Sequence, residues 1–389
     1  EKRRLLLLPI VLQKGGFMKK LIGLCVVIAG CFSCARQEPP VTLKVGHVGH
    51  DHHAALYVAC LEGARFQADY NLYLKEVRPK ELYELYDGKR KVCDVELYKS
   101  GGGSKMPTLM SQGHFELGFG GVAAMIFFVD KEAPMKIISP LHSKGDMLVV
   151  TPGAPVRSWT DFAAWVKKNP RQVRVGYKDP VAVAKLIFTR ALLEEGISYT
   201  EDAGNRKAGV ILINMKGEEN LIPGLQNKII DAYVSNNPWC ALAEKKGAGR
   251  MVCSLNELPP GIWRDHPCCG IAANDQAVKD KRKAITKFLE LMAIATRYIN
   301  EQPDIGYNAA AQWIGTPLEV EKVSMPTSGY SVEPTAEWKD QIRHWYQVME
   351  EVVEFNGVLK GLPPEKADSL IFDLSLIEQA LKDLHKRKK

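Results

Sequence analysis

Residues 210–239 read VILINMKGEENLIPGLQNKIIDAYVSNNPW, and the order of patterns inside them decides the fold. Residues 210–215 read as a strand, 220–226 as a short helix and 229–234 as a second strand. Short connections between alternating strands and helices mark an α/β protein with mostly parallel sheets. The same alternation extends upstream. Residues 173–177 read as a strand, and 181–195 as a helix stopped by Gly196, where a left-handed backbone costs little. A helix runs to Lys168 from Ser158-Trp159-Thr160-Asp161, with Ser158 or Thr160 as its N-cap. Before it the pattern resets at Pro152–Pro155. Further upstream, strands are expected at 41–45, 92–97, 115–119, 135–140 and 147–151, and helices at 54–67, 105–112 and 123–128. From Asp275 onward the chain reads as helical, over 278–300, 304–314, 335–355 and 375–385. No internal repeat of fixed period is visible.

The chain has 389 residues, 46% of them hydrophobic and 25% charged. That composition excludes global disorder, a collagen-like chain and a multi-span membrane protein, and the length allows two to three domains at ~150 residues each. The net charge of +7 is not spread over a nucleic-acid surface. Lys2, Arg3, Arg4, Lys14, Lys19 and Lys20 face one acid, Glu1, within residues 1–30, so the rest of the chain carries only +2. No nucleic-acid partner is expected.

Met18-Lys19-Lys20 precedes an apolar run too short for a stable membrane anchor, the pattern of an export signal. Its end, Ile28-Ala29-Gly30-Cys31, resembles the lipobox of bacterial lipoproteins. The resemblance implies cleavage before Cys31 and lipid on that residue, with several acyl chains giving a firm anchor. Residues 1–30 are thus a leader and lipoprotein signal, and 31–40 a tether ending in Glu38-Pro39-Pro40. Residues 1–17, with Lys14-Gly15-Gly16, read as translated upstream sequence before a start at Met18. The expected location is the periplasmic or cell-surface side of a membrane. Seven cysteines remain after Cys25 and Cys31, an odd count. The vicinal pair Cys268-Cys269 reads as two small buried thiols in a strand, because a vicinal disulfide is strained.

Several stretches together resemble the solute-binding proteins of bacterial ABC transporters, in the nitrate/sulfonate/taurine and thiamine-pyrimidine-precursor group. They are Leu43-Lys44-Val45-Gly46 before a long helix, 113–120 (GHFELGFG), 226–234 followed by Asn236-Asn237-Pro238, and 295–304 (ATRYINEQPD). The resemblance covers residues 41–385. It implies the periplasmic binding protein type II fold: two α/β lobes, a hinge, a ligand cleft and a helical C-terminal part. Lobe 1 would take 41–153 plus 262–389, and lobe 2 would take 154–261. Capture would follow from lobe closure. The expected partners are a small-molecule ligand and an ABC permease, with the chain itself a monomer and not an enzyme.

Ligands of open α/β sheets sit beyond the carboxyl ends of strands. That rule selects four loops. The first holds His47, His50, Asp51, His52 and His53. The second holds Gly120, Gly121 and Val122, where backbone N–H groups reach an anion at a helix start. The third holds Lys178, Asp179, Pro180 and Val181. The fourth holds Asn236 and Trp239. Four of the nine histidines lie between His47 and His53. They form either a hydrogen-bonding wall for a small anion or heterocycle, or a site for zinc or another transition metal through His50, His52 and His53, or an exposed polar loop. Trp239 either stacks on a planar ligand or packs inside its lobe. His114 and His142 read as structural, Lys144 and Arg157 as solvated, and 101–103 as a turn lacking the Gly-Lys-Ser/Thr ending of a phosphate loop.

The leading reading is a tethered receptor for nitrate-, sulfonate-, bicarbonate- or pyrimidine-like ligands. The alternatives are an extracytoplasmic metal-binding protein using His47–His53, and a pyrimidine-synthase-like enzyme. Export argues against the enzyme.

Overall fold

The computed structural model describes residues 41–387 except 103 and 104. The leader, the lipobox with Cys31 and the tether lie outside the described residues. Among the described residues no helix is long and apolar enough to cross a membrane.

The described strands are β1 (Thr42–His47), β2 (Leu72–Arg78), β3 (Leu82–Asp87), β4 (Arg90–Lys99), β5 (Leu117–Gly121), β6 (Met135–Lys144), β7 (Asp146–Val150), β8 (Val173–Tyr177), β9 (Tyr199–Thr200), β10 (Val210–Asn214), β11 (Ala232–Asn236), β12 (Arg250–Ser254), β13 (Pro267–Asn274) and β14 (Ser328–Tyr330). They form two sheets. The first has the order β14-β6-β13-β5-β1-β4-β3-β2 and the second β12-β7-β11-β8-β10-β9. β1 runs parallel to β4 and β5. In the second sheet β10 and β11 both run parallel to β8, which lies between them. The stretch 210–239 therefore does supply two parallel strands, separated by one that precedes both.

The chain changes sheet at Gly145, between β6 and β7, and returns between β12 and β13. The first crossing falls ahead of the expected boundary at 153. β7 follows β6 after a single residue, but it pairs antiparallel with β11 and β12. Gly145 has φ +84°, a backbone that a side chain disfavours, so the turn ends β6 and redirects the chain within one residue.

Two further differences have local causes. The single helix expected at 54–67 is two helices, Ala54–Leu61 and Gly63–Tyr70. The first is apolar on nearly every face and buried, and Gly63 abuts the Leu74 carbonyl too closely for any Cβ. The hairpin β2–β3 has no counterpart in the sequence reading, because the charged far half of β2 is exposed and hides the alternation of Leu72, Leu74, Tyr83 and Leu85. Ser158 is the N-cap of helix Trp159–Lys168, its Oγ accepting the Asp161 N–H at 3.1 Å.

Long helix Asp275–Glu301 covers the first sheet and packs against helices Ala54–Leu61 and Ser375–Arg387. Two exposed ion pairs join segments on opposite sides of the cleft: Arg190 to Glu351 at 3.0 Å and Lys245 to Glu319 at 3.1 Å. Asn237, just past β11, donates to the Thr327 hydroxyl at 2.9 Å, across the same divide.

Candidate functional site

The carboxyl end of β1 runs into the histidine loop, whose last three residues, Asp51–His53, make a 3-10 turn. The turn presses the loop inward, so His47, His50, Asp51, His52 and His53 are all buried. The exposed-loop alternative is thereby excluded. Next to the loop lie β5, β13 and β6. The pairing of β13 with β6 shifts register on both sides of Cys269. Side chains alternate across a regular strand, and a bulge re-aims them. Here Cys268 and Cys269 both reach the same cavity, and Cys269 stands opposite His142 in the ladder.

A cavity of about 30 Å³ lies between the two sheets. From the first sheet it is lined by His50, His52, Gly121, Ala124, Cys268 and Cys269. From the second come Asp146, Lys178, Val181–Ala184 and Asn236. Two helices start at its walls, Val122–Asp130 after Gly121 and Val183–Glu194 after Ala182, and neither has a side-chain cap. Their first N–H groups are free for a ligand. A larger cavity of about 300 Å³ adjoins at Lys178 and is lined by Gly101, Lys105, Asp179 and Glu218.

The structure brings His50, His52, Gly121, Val181 and Asn236 together at the inner cavity. Other expected residues lie elsewhere. His47 turns away to pack edge-on against Tyr57 and Trp313, at 6.0 and 5.9 Å between ring centres. Asp51 points to the Ser324 hydroxyl, beside Glu321. Gly120 pairs with Gly270 in the sheet, and Val122 is buried at the start of its helix. Asp179 lines the outer cavity and accepts the Val181 N–H at 3.2 Å. Trp239 packs against the second sheet's core, and its carbonyl accepts the Tyr233 hydroxyl at 3.0 Å. It is therefore a packing residue, because it opens a helix whose apolar face is buried.

His53 accepts the Val48 N–H on Nδ1 at 3.1 Å. Ligating atoms of His50, His53 and Cys269 lie within 4.8 Å of one another, whereas His52 falls in a different group, so the expected trio His50, His52 and His53 is not gathered as one set. His142, expected to be structural, faces His52 with ring centres 3.8 Å apart, and among the described residues neither of its buried nitrogens has a hydrogen-bond partner. Cys268 Sγ lies 3.6 Å from His52 Nδ1, and both cysteines are free thiols. Ligating atoms of His52, His142, Cys268 and Cys269 all lie within 4.8 Å of one another. Sequence carried a signal for the vicinal cysteines. It carried none for His142, a single histidine in an apolar strand.

Burial and His142 push His52 down to about 4, and burial with His53 pushes His47 down to about 3. Burial, then His53 and His52, holds His50 well below the usual imidazole range. These rings are neutral near pH 7. Burial opposes a thiolate at Cys269, but Cys268 and His142 outweigh it and hold Cys269 well below the usual thiol range. Burial, with Cys269 and Asp146, pushes Cys268 well above it. Burial disfavours the Asp146 carboxylate, yet His266 at 3.3 Å and His52 keep it below its usual value. Lys178 is paired with Glu218 at 3.0 Å.

Comparison with known proteins agrees with this architecture. The model of the NMT1-like family matches residues 36–315. An uncharacterized protein of Methanocaldococcus jannaschii is 39% identical over 125 residues, 32% of this chain and 86% of that protein. Among solved structures, the ligand-binding component of an ABC-type import system from Staphylococcus aureus, with zinc bound, superposes with TM-score 0.67 at 14% identity, over 87% of this chain and 99% of that one. The periplasmic nitrate-binding protein NrtA of Synechocystis PCC 6803 gives 0.67 at 15% identity, over 89% and 90%. The alkanesulfonate-binding protein SsuA of Xanthomonas axonopodis pv. citri, bound to MOPS, gives 0.60 at 12% identity, over 82% and 96%. The fold is that of the periplasmic binding proteins.

Proposed function

From the premise that the chain belongs to the NMT1-like family, we propose that it is the extracytoplasmic ligand-binding component of an ABC importer, lipidated at Cys31. It captures a small anion between its two lobes, 41–144 with 267–387 and 146–254, and delivers it to a permease. Its work is differential binding in the open and closed states rather than catalysis. One observation carries the reading. Two uncapped helix N-termini, one from each lobe, meet at the same cavity beside Lys178. Opposed N–H groups of this kind suit an oxyanion, and they act together only when the lobes close.

Size narrows the ligand. A cavity of about 30 Å³ has room for one or two waters, so a compact oxyanion suits it better than a heterocycle. The test is a thermal-shift screen of the full chain with nitrate, bicarbonate, methanesulfonate and a pyrimidine. A compact oxyanion should raise the melting temperature by linkage, and Lys178→Met should remove the effect. If none of the four stabilises the protein, the anion reading fails. Metabolic labelling with a fatty acid tests the anchor, since Cys31→Ser should abolish incorporation.

A further inference from the structure

We propose that His52, His142, Cys268 and Cys269 hold a resident thiophilic metal ion of the zinc type, which forms the floor of the cleft. The proposal rests on the reading of the cleft as a ligand site and adds what its floor is made of.

The donors come first. Two imidazoles and two sulfurs within 4.8 Å of one another make the Cys2His2 set that suits a tetrahedral soft ion. Adjacent donors of such a site sit ~3.3–3.8 Å apart, as tetrahedral angles and bonds of ~2.0–2.3 Å require. The observed cluster needs only small side-chain adjustments to reach that. Magnesium and calcium prefer all-oxygen sites and are poorly served here.

Unsatisfied groups come second. Both nitrogens of buried His142 lack a partner, as does Nε2 of His52. A buried polar atom with no partner carries a desolvation cost that a bound ion would relieve. Nδ1 of His52 faces Cys268 Sγ, while Nε2 points toward Asp51 Oδ1, 3.9 Å away and itself unpartnered.

Topology separates a resident ion from cargo. His52 follows β1, His142 lies on β6, and both cysteines lie on β13, all in the first sheet. Opening the lobes leaves this set whole. A transported ion would need ligands that opening pulls apart, whereas His52, His142, Cys268 and Cys269 all stay with the first sheet.

The experiment uses the full chain, reduced and stripped by chelator, and titrated with cobalt(II) and then zinc. One equivalent of cobalt should give thiolate charge-transfer bands and the strong visible bands of tetrahedral cobalt, and zinc should displace it. Cys269→Ser and His142→Ala should lose the one-equivalent spectrum, while His53→Gln should keep it. Cys269→Ser, nearly isosteric, carries the comparison if His142→Ala does not fold. Absence of the charge-transfer bands, or their survival in both variants, overturns the proposal. The anion screen is repeated on stripped and zinc-loaded protein. Equal shifts in both mean that the ion is not the floor of the ligand site, and the proposal falls while the anion reading stands. Tight zinc binding with no anion shift leaves the ion in place and removes the anion reading.

Discussion

Replacing Gly145 by alanine tests the crossing and the site together. Gly145 joins β6 to β7 at φ +84°, and a Cβ there would stand 2.5 Å from His52 Nε2 and closer still to the Ser328 hydroxyl. The left-handed backbone costs an alanine about 1–2 kcal/mol. Overpacking against a buried ring and a hydroxyl adds about 1–3 kcal/mol. A total near 3 kcal/mol lowers Tm by about 6 °C in a chain of this size, where each kcal/mol is worth about 2 °C. Gly361→Ala is the control: its φ is +65° with nothing within 4 Å of the added Cβ, so only the backbone cost remains. Scanning calorimetry on chelator-treated protein compares the two. Gly145→Ala should melt several degrees below Gly361→Ala and, by pushing the His52 ring, should also weaken cobalt binding. Equal melting of the two variants, with cobalt binding intact, would refute the reasoning that this residue lets the first wall of the site approach the crossing.

Asn237→Ala removes the 2.9 Å hydrogen bond to Thr327 across the lobes and should weaken ligand affinity about fivefold, the worth of about 1 kcal/mol, as calorimetric titration would read. Asp130 accepts the N–H groups of Asn356, Gly357 and Leu359 at 3.0–3.2 Å and is buried, so Asp130→Ala should cost about 3 kcal/mol in urea unfolding. Asp231 accepts from Arg171 and Arg174, and these bonds outweigh its burial to hold its carboxyl far below the ordinary 3.8. The sign follows: the unfolded chain takes up this proton first, so the stabilisation is full above pH 3.8 and fades as pH falls below it. Asp231→Asn should therefore be less stable than the parent at pH 7, and the gap should narrow in acid melts below about pH 4.

Sequence made the alternating core legible because strands such as β8 and β10 are short apolar runs set off by polar turns, with the helix Val183–Glu194 between them. It read one turn of the site well, since four histidines so close together must share a surroundings. It did not separate His50 and His52, which line the cavity, from His47, which ends β1 and packs against Tyr57 and Trp313, because that depends on where the strand stops and the loop turns inward. His142 was illegible because its partners lie on β13, more than a hundred residues away. The bulge that brings Cys268 and Cys269 to one side is a property of strand pairing, which a single sequence does not display.

The exposed pairs Arg190–Glu351 and Lys245–Glu319 tie the two halves together only weakly, each worth up to about 1 kcal/mol. Both sit in water, where salt screens them over about 8–10 Å at physiological strength. The balance between the open and closed protein is therefore set partly by the medium. Brine favours opening and dilute medium favours closure, even for an empty cleft. Ligand held in the closed form should therefore leave more readily in concentrated salt than in dilute medium.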